Sequence, residues 1–588
     1  MDAPESPETP SSNVLRGDGG SSRSPSSAPG DATLSEEFVR DWDPEEFRAH
    51  GHRVVDWVAD YLARVDTLPV LPHVTPGEIF AALPEQAPAE GEPFERLLED
   101  LDRVVLPGVT HWNHPGFFAY FGITASGPGI LGELVAAALN TNAMLWKTSP
   151  ASTELELRVL SWMLQMFDLP RDWFGQLVDT ASIGTLVSLA AAREAQDDLA
   201  VRVRGLAAPG HPRLRAYASE QAHSSVEKAL ITLGLGQDGL RKIPIDSAYR
   251  MDPRALRDAI HEDRAAGFRP FAVVATAGTT SSTSVDPVDA IADICEAERL
   301  WLHVDAAYAG AAAILPEMRE QFVGCERADS YLMNPHKWMF VPIDCSALYT
   351  RHPHILRRTF QLVPEYLRTE PSASAKPDRK AGSRPEHERD VRGETPSELD
   401  SEERARPEVE VERGALSESH IEWKSLNETH TEWKALSESH TEWNTPVDLM
   451  NYGVQLGRRF RAIKLWWVIR TFGVEGLRGR VRAHCALARR FVSWIESDDR
   501  FVLVAPVPFS TVCFRGRWPG LSEEEEDAAN ELLVARVSAA GPVFLAPTRL
   551  SGRVTLRLAI GNLRTEEKHV RQAFDLLVSL HDESGRDS

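Results

Sequence analysis

Apolar positions along this chain hold one rhythm over long stretches, and the places where the rhythm changes divide the chain. From Ser35, "SEEFVRDWDPEEFRAHGHRVVDWVADYLARV" sets Val54, Val55, Val58, Tyr61 and Leu62 at helical spacing, and a proline-punctuated stretch follows. This predicts a helical segment over 35–124 that packs on something else. Over 125–369 helical patterns alternate with short β-type runs: "RLRAYAS", "PRALRDAIHEDRAAG", "FAVVATAG", "PVDAIADICEAERL", "LWLHVDAAYAG". Such alternation predicts an α/β domain, a mostly parallel sheet covered by helices. The rhythm then stops, and over 370–447 Ser, Pro, Glu and Arg dominate, as in an insert or linker. It returns as a basic, aromatic helix, "LGRRFRAIKLWWVIRTFG". Strand and helix patterns then mix ("FVLVAPVPFSTVCFRG", "RVTLRLAIGN", "EEKHVRQAFDLLVSL"), which predicts a small α+β domain closing 448–588.

Composition adds limits to this outline. Residues 1–34 are rich in Ser, Pro and Gly and cannot bury enough surface to offset ordering entropy, so a disordered arm is expected. An apolar share of 42% suits a globular protein, and 588 residues leave room for more than one domain. The formal charge of −23 argues against general nucleic-acid binding, which needs clustered Lys and Arg. Five scattered cysteines without metal-type spacing suit reduced thiols in the cytoplasm, and no structural metal is expected. No apolar run is long enough to span a bilayer, and no secretion signal is visible, so a cytoplasmic protein with no membrane partner is expected.

The chemistry concentrates in "LWLHVDAAYAG" and, from Asn334, "NPHKWMF". Ligands of parallel sheets sit at the carboxyl ends of strands, and Asp305 ends a strongly apolar one, followed by small residues that let something flat lie close. Lys337, between His336 and Trp338, stands in a short turn before further apolar sequence. Desolvation there would lower its pKa and make the amine nucleophilic toward an aldehyde. Taken singly, a lysine is usually a solvated surface residue, and an aspartate after a strand is usually a helix cap.

Together these residues resemble the group II pyridoxal-phosphate decarboxylases, the family of aromatic-L-amino-acid decarboxylase, from about Phe38 to Leu580 apart from the insert. The resemblance implies the fold-type I architecture of pyridoxal-phosphate enzymes, an amino-acid substrate and a homodimer. It implies that Lys337 bonds the cofactor covalently and that Asp305 pairs with the pyridine nitrogen, keeping it protonated so that the ring accepts electrons. "SEQAHSSVEKA" aligns His223 with the histidine that stacks on the ring, and Ala307 would lie on the opposite face. "VDTASIGTLVSLAAARE" matches the phosphate-binding turn, where Ala181 and Ser182 would open a helix whose free N–H groups favour phosphate. Ile183 and Gly184 replace the Glu-Ala of the animal enzymes there. "ATAGTTSS" puts Thr280 at the threonine near the ring, and Asn334 and His336 match further cofactor contacts. Each has an ordinary alternative: a core histidine, a Ser-capped helix, a strand-end hydroxyl.

"HWNHPGFFAYFGITASGPG" resembles the segment that walls the substrate pocket, making Trp112, Tyr120, Phe121 and Thr124 candidates for a ring-accepting surface. Aromatic residues at that density are more often core. Gly457 leaves space for a bulky ring. In "TFQLVPEYLRT", Tyr366 matches the loop tyrosine that protonates the carbanion left after loss of carbon dioxide. Relatives with Phe there form an aldehyde instead. The expected function is therefore decarboxylation of an L-amino acid, aromatic by resemblance. The alternatives are aldehyde-forming oxidative deamination, decarboxylation of a non-aromatic amino acid, and a non-catalytic scaffold using the acidic insert. That insert ends in one decapeptide written three times, 415–444, with Leu, His and Trp at i, i+4 and i+7. Ten residues turn a helix by about 1000°, so successive stripes are offset by about 80° and form no seam.

Overall fold

The computed structural model describes residues 41–362 and 446–584. Tyr366, the 1–34 arm and the decapeptide repeat lie outside the described residues. The described residues form two compact units, 41–61 with 88–99, and 62–87 with 100–362 and 446–584. In the first, helix α1 (Pro44–Arg64) buries none of its residues, and Phe47, Val54 and Val55 stay exposed. The rings of Trp42, His50 and Phe94 cluster with centroids 4.3 to 5.5 Å apart.

The second unit is built on seven strands: β1 (Phe174–Val178), β2 (Arg213–Ser219), β3 (Leu240–Ile243), β4 (Phe268–Thr276), β5 (Trp301–Asp305), β6 (Ser330–Met333) and β7 (Ser346–Thr350). Their order is β1-β7-β6-β5-β4-β2-β3, and pairing is parallel except where β7 meets β6 and β1. Successive side chains alternate between faces, and both faces are covered. Val273, Ala275, Leu302 and Val304 enter one core, and Ala272, Val274 and Trp301 the other. This double burial is why these strands read as unbroken apolar runs.

Helix α2 (Gly127–Leu139) packs on the long helix Ala462–Glu496. Helix α3 (Ala181–Glu194) follows β1, and the one-turn helix α4 (Pro335–Trp338) follows β6. Helix α5 (Ala462–Glu496) is interrupted at Gly473, whose φ of +64° a side chain would resist. The Ile183–Gly184 replacement leaves the start of α3 intact: the Gly184 N–H donates to Thr180 O at 3.1 Å. A Cβ on Gly184 would stand 2.5 Å from Leu332 Cδ1, so glycine is what lets α3 lie close on β6. The second unit also carries an antiparallel sheet ordered β10-β11-β9-β8, formed by β8 (Phe501–Leu503), β9 (Thr511–Gly516), β10 (Ala546–Leu550) and β11 (Arg553–Ala559). The 117–121 segment threads along it, Phe118 N–H donating to Phe544 O and Phe118 O accepting from Ala559 N–H.

Candidate functional site

The carboxyl ends of β4, β5 and β6 meet at one point. Thr276 pairs in register with Asp305, and Asp305 with Leu332. The loops beyond are tied together: Ala306 N–H donates to Leu332 O, and Asn334 N–H to Ala307 O. Asp305 is buried, with one carboxylate oxygen accepting the Ala307 N–H at 3.0 Å. The proline of "NPHKW" opens the single turn of α4, which aims Lys337 back across this edge.

Lys337 keeps a small accessible surface while the protein packed round it removes most of its solvation. That desolvation pulls its pKa down to about 8. Asp305 opposes the fall and the Arg557 guanidinium adds to it. At neutral pH roughly a tenth of such an amine is unprotonated, against about one part in three thousand at the ordinary value. His223 presents an accessible ring, and its Nδ1 is held by Ser225, whose hydroxyl lies at 2.9 Å and whose N–H donates at 3.1 Å. Partial burial lowers its pKa, and the charges of Asp305 and Lys337 both act on it. Three separate stretches of sequence thus converge.

Around them, His336 is buried and its Nδ1 accepts the Cys345 N–H at 2.9 Å, so the neutral ring carries its proton on Nε2. Burial and then Lys337 push its pKa down to about 3. Asn334 Oδ1 and Thr276 Oγ1 are buried without a protein partner. Ala181 opens α3 beyond the carboxyl end of β1, Ser182 is exposed, and Ala307 is half-buried. Thr280 is exposed, whereas its neighbour Thr279 is buried and bonded to Ser282 at 3.0 Å.

The aromatic candidates divide. Phe121 faces the lysine, its ring centroid 5.2 Å from Nζ, and stacks on Tyr308 at 3.9 Å. Tyr120 takes a left-handed φ of +51°, and its ring joins Trp112 and Phe544 in a separate cluster. Thr124 is fully buried, its hydroxyl 3.4 Å from Asn113 Oδ1. Gly457 lines a cleft of about 390 Å³ with Glu133, Asn142 and Arg461.

Sequence reasoning missed Arg557. This buried residue of β11 lies 4.4 Å from the Phe121 centroid. Nε donates to Ser281 O at 3.0 Å, Nη1 donates to Tyr120 O, and Nη2 is buried with no protein partner. The available signal was an arginine in the apolar strand "RVTLRLAIGN", where Leu556 and Leu558 fill a core with Val512, Phe514 and Phe574 and Arg557 takes the opposite face. The assembled site holds a nucleophile-grade amine, a buried carboxylate, two neutral imidazoles and a free guanidinium N–H, which suits a carbonyl-bearing anion.

A lysine beyond one strand end and a buried aspartate at the next, on a doubly covered, mostly parallel sheet, are consistent with the fold-type I α/β architecture. The comparisons narrow the class. The pyridoxal-dependent decarboxylase conserved domain matches residues 76–380 and 423–517. Tryptophan decarboxylase 1 of Oryza sativa subsp. japonica is 36% identical over 551 residues, covering 91% of this chain and 93% of that protein. Phenylacetaldehyde synthase of Arabidopsis thaliana is 34% identical over 552 residues, covering 92% and 97%. The crystal structure of an Oryza sativa TDC with PLP and tryptamine superposes with a TM-score of 0.77 at 35% identity, covering 92% of this chain and 99% of that one. The chain belongs to the pyridoxal-dependent decarboxylase family, and pyridoxal 5'-phosphate is its cofactor.

Proposed function

We propose that this protein decarboxylates an aromatic L-amino acid to its amine and carbon dioxide. The observation that carries the reading is the convergence of Lys337, Asp305 and His223 at the ends of β4 to β6, with Arg557 beside them. The residues fit pyridoxal 5'-phosphate: an amine of lowered pKa for its aldehyde, a buried carboxylate for its ring nitrogen, and an unpartnered hydroxyl on Thr276. Lys337 would hold it covalently, and Ala181 and Ser182 at the start of α3, with Asn334 and His336, would hold its phosphate. When bound, it accepts the electron pair released as a bond to the substrate's α-carbon breaks.

The protein's groups supply the rest. Asp305 keeps a proton on the facing ring nitrogen, and His223 and Ala307 would cover the two faces of the ring. Arg557 offers its free Nη2–H to a substrate carboxylate, in a setting where a charge-assisted bond is strong. Lys337 Nζ, near half-ionised at mildly alkaline pH, can give or take a proton. Phe121 offers a ring face beside the lysine, which supports an aromatic substrate, as do the tryptophan-directed relatives. Tyr366, by the family pattern, returns a proton to the α-carbon and so favours amine over the aldehyde that the Arabidopsis relative's name describes.

We further read the enzyme as a homodimer. Helix α2 leaves Leu131, Leu134 and Leu139 about half exposed, and α1 buries nothing; both are apolar faces that a second copy would cover. Among the described residues no helix is long and apolar enough to cross a membrane, and the five buried free cysteines suit a reducing, cytoplasmic setting. The test is a panel of amino acids assayed together for amine, aldehyde and peroxide. Amine from aromatic substrates alone supports the reading, and aldehyde with peroxide as the main products would replace it.

A further inference from the structure

We propose that His484 is a positioning residue for Lys337, holding the lysine turn through Trp338 and fastening it to the wall of the pocket. The proposal rests on the reading of Lys337 as the cofactor's attachment point. A single helical turn has no stability of its own, so the direction of Lys337 depends on what anchors α4 at each end. The near end is held by backbone bonds: Lys337 N–H donates to Asn334 O, and His336 N–H to Cys345 O. At the far end Val341 N–H donates to Pro335 O and Ser126 N–H to Phe340 O, and a side chain adds the bond that holds Trp338 itself. Trp338 is fully buried and its indole N–H donates to His484 Nδ1 at 2.9 Å. Phe340, two residues on and at a left-handed φ of +62°, sets its ring edge against the same imidazole, with centroids 5.8 Å apart at 82°.

The tautomer of His484 follows from its partner. An indole N–H can only donate, so Nδ1 accepts and the proton sits on Nε2. Burial holds the ring neutral, with its pKa pulled down to about 4 against a hydrogen bond to the backbone of Asn562. Asn562 in turn donates from its side chain to Trp112 O and His114 O, both at 3.0 Å. His484 is therefore the joint between the lysine turn and the strand-to-helix loop that braces the 112–121 wall.

A second path runs through ring faces. Phe121 stacks on Tyr308 (3.9 Å, 13°) and Tyr308 on Trp338 (4.8 Å, 4°), while Trp338 and His484 lie edge to edge in one plane (6.4 Å, 3°), joined by their hydrogen bond. The Tyr308 hydroxyl fixes the column's middle by bonding Ser510 at 2.8 Å. One end of the column is the ring beside Lys337 Nζ, and the other is Trp338, whose edge His484 holds. Loss of the joint frees both Trp338 and the far end of α4, so water reaches the lysine.

The test is made first on cofactor-free protein, by pH-dependent reductive methylation of Lys337 followed by mass spectrometry. In His484→Leu the lysine's apparent pKa should rise from about 8 toward its ordinary value, by about one unit. Turnover of the loaded enzyme should fall at least ~10-fold with less than a threefold change in KM, because a misplaced lysine slows chemistry more than binding. His484→Gln, which keeps an acceptor for Trp338 and a donor for Asn562, should recover most of both losses. Where His484→Leu fails to fold, Trp338→Phe serves: it keeps the stack, removes the indole N–H, and should raise the lysine's pKa in the same direction. An unchanged Lys337 pKa in folded His484→Leu or Trp338→Phe overturns the proposal. Failure of the underlying reading looks different, since Lys337→Ala would then retain the visible absorption band of bound cofactor.

Discussion

Replacing Arg557 by Met removes a full buried charge next to the reacting amine while keeping the length of the side chain. Both Arg557 and Lys337 are placed by the Phe121 ring, at 4.4 and 5.2 Å from its centroid, so the two charges are no farther apart than about 9.6 Å, the two lengths laid end to end. At an effective dielectric constant near 20 that separation is worth about 1.7 kcal/mol of repulsion, or roughly one pKa unit. Lys337 should accordingly titrate near 9 in Arg557→Met rather than near 8. The same change leaves Tyr120 O without its donor and Ser281 O with only the Cys513 thiol, at about 1 to 3 kcal/mol for the lost acceptor, so Tm should also fall. The assay is the pH dependence of Lys337 methylation in cofactor-free protein, read by mass spectrometry. Arg557→Lys, which restores the charge, should return the lysine's pKa to near 8 without restoring the second backbone bond. A Lys337 pKa that stays put or falls in Arg557→Met would refute the electrostatic reasoning.

Other consequences follow from the same geometry. Because folding lowers the pKa of Lys337 from 10.5 to about 8, the unfolded chain binds more protons between those values, and stability rises with pH across that window. Lys337→Met should therefore stabilise the cofactor-free protein by up to ~3 kcal/mol at pH 7, an advantage that disappears above about pH 10.5, as measured by denaturant unfolding at several pH values. Gly184→Ala places a methyl against Leu332 and should cost roughly 1 to 3 kcal/mol in stability and weaken cofactor affinity, read by Tm and by cofactor titration. Tyr366→Phe should divert product from amine to aldehyde with peroxide; retained amine formation would remove Tyr366 from the mechanism.

The parts of this site legible in the sequence are those fixed by local structure. Asp305 and Lys337 stand at the ends of strands that announce themselves as unbroken apolar runs, because both faces of the sheet are covered. Arg557 could not be read the same way: it lies more than two hundred residues downstream, and only the docking of the 117–121 segment along β11 carries it to the lysine. The division between Tyr120 and Phe121 depends on one left-handed backbone angle, which turns neighbouring aromatics to opposite sides and has no signature in a run such as "GFFAYFG". Thr279 and Thr280 show the same limit, since a turn buries one hydroxyl of an identical pair and exposes the other. His484 was equally hidden, as one histidine in a basic helix whose partner is an indole nearly 150 residues earlier.

On the proposed function, Lys337 is the residue to which the cofactor bonds. Loading the purified protein with pyridoxal 5'-phosphate, reducing it with borohydride and mapping the modified peptide tests that claim in one measurement. A single stoichiometric modification on Lys337, absent in Lys337→Ala, is expected; a modification on another lysine, or none, would remove Lys337 from that role.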